Sequence, residues 1–337
     1  MFSHLDRSKI SLILLFSLWL SCNVFFICWD YITSPLNKSG VIFIQPGWSF
    51  KKTVAELQHH GLIKFPHIFL IWGVIKGATS KIKPGEYVIS PELSPNALLQ
   101  RLCTGQGVIH YKLTIPEGAT IKEIAKILAK RQLIPRDEFI KWAFNPDFAH
   151  YLGINAPSVE GYLFPTTYFL QKGLRARDII RIMVNEFNQV YKKYANKTTL
   201  SRHQVVTLAS IVERETAVKE EKPLIASVFL NRLKLDMRLQ ADPTVIYALP
   251  VFDGNLTKED LNFPSPYNTY IVKGLPPTPI CSPGEESIRA VVEAPQTPFL
   301  YFVSMGNGRH YFSTNLKEHR RAIRKYQRHK TRSKISN

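Results

Sequence analysis

Leu208-Ala209-Ser210-Ile211-Val212-Glu213-Arg214-Glu215-Thr216 sets the Glu213 carboxylate on a largely apolar helix. Val205, Leu208, Ala209, Val212 and Thr216 recur at helical spacing and predict a single buried stripe. Glu213 stands one turn beyond Ala209, at the edge of that stripe. Desolvation there disfavours the charged form, so a protonated Glu213 is a candidate general acid. The plainer alternative is a solvated helix glutamate paired with a neighbouring Arg or Lys.

Outward from this helix, the chain of 337 residues is long enough for two or three compact domains, and 45% hydrophobic residues supply a core. A net charge of +18 predicts an acidic partner: nucleic acid, anionic lipid or an anionic polymer. The N-terminus decides among these. Ile10 to Trp29 is almost uninterrupted apolar sequence, long enough to span a bilayer. Arg7 and Lys9 precede it, and no Lys or Arg follows before Lys38, so residues 1–9 are expected in the cytoplasm and the chain beyond about residue 30 outside. The run is long for a signal peptide and lacks a small-x-small cleavage site, which favours an uncleaved anchor over 10–30. Nucleic acid is then not an expected partner. Lipid headgroups and the cell wall are the available polyanions, and the Arg/Lys-rich residues 327–337 read as a basic tail.

Cys22 and Cys28 fall in the span, leaving Cys103 and Cys281 outside, which make no disulfide framework. Ten scattered histidines with no His-Glu-x-x-His give no metal site. Two segments resemble each other. Phe43 to Phe50 leads into Thr53-Val54-Ala55-Glu56-Leu57, and Thr114-Ile115-Pro116-Glu117-Gly118-Ala119-Thr120-Ile121 leads into Glu123 to Leu128. Each reads as strand, Pro/Gly turn and amphipathic helix, with Ser49 and Thr120 as N-caps. Further helices are expected from Ser94 to Cys103, from Arg177 to Tyr194 (Ile179, Ile180, Ile182, Met183, Phe187 and Val190 inward) and from Glu221 to Leu235. A hairpin is expected around Met305-Gly306-Asn307-Gly308, and a last helix opening at Asn315 with Glu318.

Polar and aromatic side chains crowd the sequence after Glu213: Asn231 and Arg232, then Gln240, Asp242 and Thr244, then Tyr267, Asn268 and Tyr270. Amides, hydroxyls and aromatic faces together suit sugars. Each has an ordinary structural role as its alternative; Arg232, for one, could pair with Glu220 or Glu221.

Taken together, the strings Leu208 to Thr216, Val228-Phe229-Leu230-Asn231-Arg232-Leu233, Met237 to Tyr247, Pro266-Tyr267-Asn268-Thr269-Tyr270 and Gly274-Leu275-Pro276-Pro277 resemble the endolytic murein transglycosylases. Glu160-Gly161-Tyr162-Leu163-Phe164-Pro165 and the segment from Leu300 to Leu316 also fit, and the likeness runs from the anchor to about residue 326. Tyr111 onward resembles a LysM-like module, a glycan-binding fold in many proteins. The resemblance implies an α+β protein: the transmembrane anchor, an αβ module over 41–107, a LysM-like module over 108–155 and an α+β catalytic domain over 156–326. It also implies a single-pass inner-membrane protein whose catalytic domain is extracytoplasmic, a carbon–oxygen lyase. Such an enzyme cleaves nascent peptidoglycan strands internally between N-acetylmuramic acid and N-acetylglucosamine, leaving 1,6-anhydro ends and terminating elongation, with no cofactor. The family's catalytic glutamate falls on Glu213. Asn231, Gln240, Asp242, Thr244, Tyr267, Asn268, Tyr270 and Glu160 are the expected substrate-binding residues, and peptidoglycan synthases are candidate partners. Two alternatives remain: a muramidase-type hydrolase with Asp242, Glu160 or Glu215 as second carboxylate, and a non-catalytic wall-binding scaffold.

Overall fold

The computed structural model describes residues 7–326, so the basic tail at 327–337 lies outside the described residues. The fold is α+β and mostly helical, with three two-stranded sheets. The chain forms two compact units. One holds the chain up to Tyr111 together with Phe169–Leu174, and the other holds Lys112–Tyr168 and the chain from Arg175 on. The segment 112–155 therefore shares a compact unit with the Glu213 helix.

The first unit opens with α1 (Arg7–Thr33), whose stretch Lys9–Thr33 has mean hydropathy 2.3 and is long and apolar enough to cross a membrane. Then come β1 (Gly40–Ile44), α2 (Phe50–His59), α3 (Pro66–Ile75), β2 (Gly85–Ile89) and α4 (Pro95–Thr104). β1 and β2 pair antiparallel, Gly40 opposite Ile89. The two-residue period shows on both strands: Ile42, Ile44, Tyr87 and Ile89 are buried, whereas Val41 and Val88 face out. The Ser49 side chain accepts the Lys52 N–H and that of Ser94 the Ala97 N–H, capping α2 and α4 as expected. Val54, Leu57, Phe69, Leu98 and Leu102 complete the core.

The chain passes to the second unit along β3 (His110–Thr114). There follow α5 (Ile121–Lys130), α6 (Arg136–Ala143), α7 (Pro146–Tyr151) and β4 (Thr167–Gln171), which pairs with β3. Thr120 and Glu123 form a capping box on α5. Each of the two resembling segments thus forms a strand followed by a capped helix, β1 with α2 and β3 with α5.

The rest comprises α8 (Ala176–Tyr191), α9 (Arg202–Glu215), α10 (Lys222–Lys234), α11 (Asp242–Ala248), α12 (Glu285–Val292), β5 (Tyr301–Ser304), β6 (His310–Ser313) and α13 (Leu316–Tyr326). β5 and β6 make the expected antiparallel hairpin. Asn315 accepts the Glu318 N–H, while the Glu318 carboxylate reaches Thr314 rather than Asn315. α8 buries the expected stripe except Ile182, which is 40% exposed. Two expectations change at α9 and α10. The eight residues Val205 to Val212 are all buried, Thr207 and Ser210 included, so α9 has no solvated side along that stretch. The reason is that α10, α11 and α12 all pack on it. Arg232 pairs with neither Glu220 nor Glu221; its guanidinium donates to the carbonyls of Leu300 at 2.7 Å and Leu239 at 2.6 Å. Glu221 is held instead by His310, through the backbone N–H and Nδ1.

Gly161 follows Glu160 with φ +83, and a Cβ there would run into the Pro279 ring. Gly161→Ala is expected to lower stability by about 1–3 kcal/mol through backbone strain and overpacking. Gly153→Ala, at φ +73 but in open space, should lose less. Urea midpoints of the two variants check this.

Candidate active site

Glu213 lies in the last turn of α9, the first residue past the fully buried stretch. Its carboxylate is held from three directions. Lys222, the first residue of α10, donates from Nζ to Oε1 at 2.9 Å. At the N-terminus of α12, the Gly284 N–H donates to Oε2 at 2.9 Å and the Ser287 hydroxyl at 2.6 Å. A helix N-terminus offers unpaired N–H groups and a positive dipole end, so it favours an anion there. The Glu213–Lys222 pair is almost sealed, with side-chain exposures of 7% and 3%. Glu213 is therefore paired with a lysine, as the plainer sequence alternative held, but it is not a solvated surface group. Gly284 is constrained at this spot: a Cβ on it would collide with the Glu117 carboxylate.

Glu213 and Lys222 line a cavity of 350 Å³ with Glu117, Arg214, Glu215 and Thr216. Arg214 also lines two further cavities, of 320 Å³ along Pro116 to Ala119 and of 280 Å³ beside Phe144, Tyr247 and Phe252. One exposed guanidinium thus borders three hollows, a layout that suits an extended polar ligand.

Two carboxyls near these hollows are neutralised by their surroundings. Burial pushes Glu215 up to about 8, Asp242 beside it raises it further, and Arg232 opposes both. Glu160, 1% exposed, is likewise pushed up to about 8 by burial, against the hydrogen bonds it accepts. Those bonds come from the Ile121 N–H at 3.0 Å and the Tyr247 hydroxyl at 3.1 Å.

The residues expected to bind substrate fall into two sets. Glu160 lines the 280 Å³ cavity. Gln240 is exposed, with φ +50 in the left-handed region, and Asp242 accepts the Tyr270 hydroxyl at 2.5 Å. The remaining four are tied into the fold. The Asn231 amide donates to the carbonyls of Thr297 and Phe299. Thr244 and Asn268 are fully buried; Thr244 bonds to Ala241 and Thr269, and Asn268 to Leu261, Phe263 and the Tyr270 N–H. Tyr267 shares a hydrogen bond with Thr278. Lys222, Ser287, Gly284, Arg214 and Tyr247 went unnoticed in the sequence. Lys222-Pro223 and Pro283-Gly284 do signal helix starts, but nothing local says that both starts meet at Glu213.

The sequence profile of the YceG-like family matches residues 42–325. An endolytic murein transglycosylase of Bacillus subtilis (strain 168) is 34% identical over 310 residues, covering 85% of this chain and 84% of that protein. One from Streptococcus pneumoniae (strain R6) is 28% identical over 326 residues, covering 87% of this chain and 59% of that protein. The crystal structure of a YceG-like protein of Listeria monocytogenes superposes with a TM-score of 0.58 at 33% identity, covering 85% of this chain and 99% of that one.

Removing one member of a sealed ion pair strands the other, at a cost of about 3–5 kcal/mol. Lys222→Met is expected to lose stability on that scale in urea unfolding, and Glu213→Gln in the same chain should recover part of the loss. For Glu160 the folded carboxyl takes its proton more readily than the unfolded one. Its contribution to stability is complete below about pH 4.5 and is lost as pH rises through about 8. Glu160→Gln should therefore match the parent protein near the lower limit and be the more stable of the two above the upper one. Thermal melts across that range check the sign.

Proposed function

We propose that this chain, which belongs to the YceG-like family, is an endolytic murein transglycosylase. It would cut peptidoglycan strands internally between N-acetylmuramic acid and N-acetylglucosamine. The observation that carries the reading is Glu213, whose carboxylate Lys222 and the α12 N-terminus hold in the wall of a cavity that Arg214 also lines.

Ordinary glycoside hydrolases divide acid and nucleophile or base between two carboxyls. In the proposed reaction one carboxyl does both, in sequence. Glu213 first gives a proton to the glycosidic oxygen, and the bond from C1 of the muramic acid to that oxygen breaks. The Lys222 ammonium, 2.9 Å from Oε1, stabilises the carboxylate that Glu213 becomes once that proton has left. The substrate's own N-acetyl oxygen stabilises the positive charge at C1. Glu213, now a carboxylate, takes the proton of the C6 hydroxyl, and O6 bonds to C1 to give the 1,6-anhydro end. Ser287 and Gly284 hold Oε2 still while Oε1 exchanges partners. Arg214 and Gln240, both exposed, and Asp242 with Tyr270 are the proposed contacts along the strand. α1 is the proposed uncleaved anchor in the cytoplasmic membrane, N-terminus in the cytoplasm and the remainder outside. Peptidoglycan synthases acting on the same strand are the proposed neighbours.

A second reading rests on Glu215, which keeps its proton up to about pH 8 beside Asp242. A carboxyl that burial keeps protonated can serve as the general acid of a hydrolase, and a muramidase would leave reducing ends.

Mass spectrometry of wall glycan treated with the full chain in detergent separates the readings. Anhydro ends are expected from the parent protein, and Glu213→Gln should lower their yield by about 10²–10⁴-fold, the usual share of general acid–base catalysis. Reducing ends abolished by Glu215→Gln would establish the hydrolase. Binding with no new ends would leave a wall-binding scaffold.

A further inference from the structure

The first unit carries an apolar surface that the glycan chemistry does not use. α3 reads Pro66-His67-Ile68-Phe69-Leu70-Ile71-Trp72-Gly73-Val74-Ile75. Its inner side is spent on the core: Phe69 is fully buried, and Gly73 lies so close to the Phe50 ring that a Cβ would collide with it. Its outer side is aliphatic and bare. Ile71, Val74 and Ile75 are 62%, 66% and 67% exposed. Ten residues are too few to span a bilayer.

This surface continues the surface of α1. The Trp72 ring meets Trp29 edge-on at 6.4 Å, and the Phe65 ring meets Tyr31 at 5.1 Å. The Phe65 N–H also donates to the Tyr31 hydroxyl. An apolar groove of 170 Å³ runs between the two helices, lined by Phe25, Trp29, Ile32, Ile68, Ile71 and Ile75 among others. Trp29, Tyr31 and Trp72 thus gather at the end of the span, where amphipathic rings mark a membrane–water boundary. Charge is equally one-sided. No Asp or Glu lies between Glu56 and Glu86, whereas Lys64, Lys76, Lys81 and Lys83 do. Lys64 sits over the Phe65 ring at 5.2 Å and Lys76 over Trp72 at 4.8 Å.

We propose that α3 is a lipid-docking face. Its aliphatic residues enter the outer interface of the bilayer that α1 spans, an acyl chain fills the α1–α3 groove, and the flanking lysines meet anionic headgroups. Continuity with the span and the one-signed charge select lipid over a protein partner. The inference rests on the reading of α1 as an uncleaved anchor.

The test uses the full chain in nanodiscs of phosphatidylglycerol and phosphatidylethanolamine. An environment-sensitive fluorescent amino acid is placed in turn at Ile75, at Phe16 in mid-span and at Val251, which is 81% exposed in the second unit. Brominated acyl chains should quench the Ile75 probe at least about half as strongly as the Phe16 probe, while aqueous iodide quenches the Val251 probe only. Ile71→Glu with Val74→Glu should abolish the lipid quenching at Ile75 and leave that at Phe16 unchanged. An Ile75 probe reached by iodide and not by lipid overturns the proposal. So does one reached by neither, which would mean a covering protein such as a second copy. A Phe16 probe that escapes lipid quenching overturns the anchor reading as well, whereas Phe16 in lipid with Ile75 in water overturns the docking alone.

Discussion

The sealed pair of Glu213 and Lys222 is the constraint around which the second unit is arranged. Each charge would be costly to bury alone, and their mutual attraction offsets that cost only when the remaining lone pairs also find donors. The fold meets this demand by bringing three helix ends to one point: the last turn of α9, the first residue of α10 and the N-terminus of α12. The wholly buried run Val205 to Val212 fixes where α9 emerges, and so fixes the carboxylate. Gly284 gives up its Cβ so that Glu117 can approach the same spot.

Much of the fold was legible because its signals are local. Ser49, Ser94 and Thr120 cap helices since a short oxygen-bearing side chain two or three residues before unpaired N–H groups serves almost anywhere. The Met305-Gly306-Asn307-Gly308 turn likewise carries its geometry within itself. The environment of Glu213 was not legible, because it depends on Lys222 and Ser287, 9 and 74 residues away. The α9 pattern predicted one buried stripe, yet a helix enclosed by three others buries its small polar residues too. Ser210 fits there because its hydroxyl bonds to the Thr207 carbonyl within the helix and accepts the Ile280 N–H.

The crowd of amides and hydroxyls after Glu213 shows why composition alone overstates a binding surface. Regular structure is sparse between α11 and α12 and again between α12 and β5, so backbone groups there need partners that a ladder would otherwise supply. Asn268, Thr244 and Asn231 supply them, each closing a turn or bridging two segments. Polar side chains that look available for a sugar are thereby committed to a loop. Those left at the surface, Gln240, Asp242 and Arg214, stand on a framework that the committed ones hold in place.

The route of the chain between the units bears on how the protein is made. The first unit is discontinuous in sequence: its Phe169–Leu174 piece arrives well after Tyr111. The Glu86 carboxylate, which takes the Tyr111 hydroxyl and the Lys172 ammonium, cannot gain its lysine until that piece has been synthesised. A chain emerging N-terminus first must therefore keep the first unit unfinished while α5, α6 and α7 are added. Completion of the first unit is in this way timed by synthesis of part of the second, and a truncation at residue 111 would sever the first unit from a part of itself.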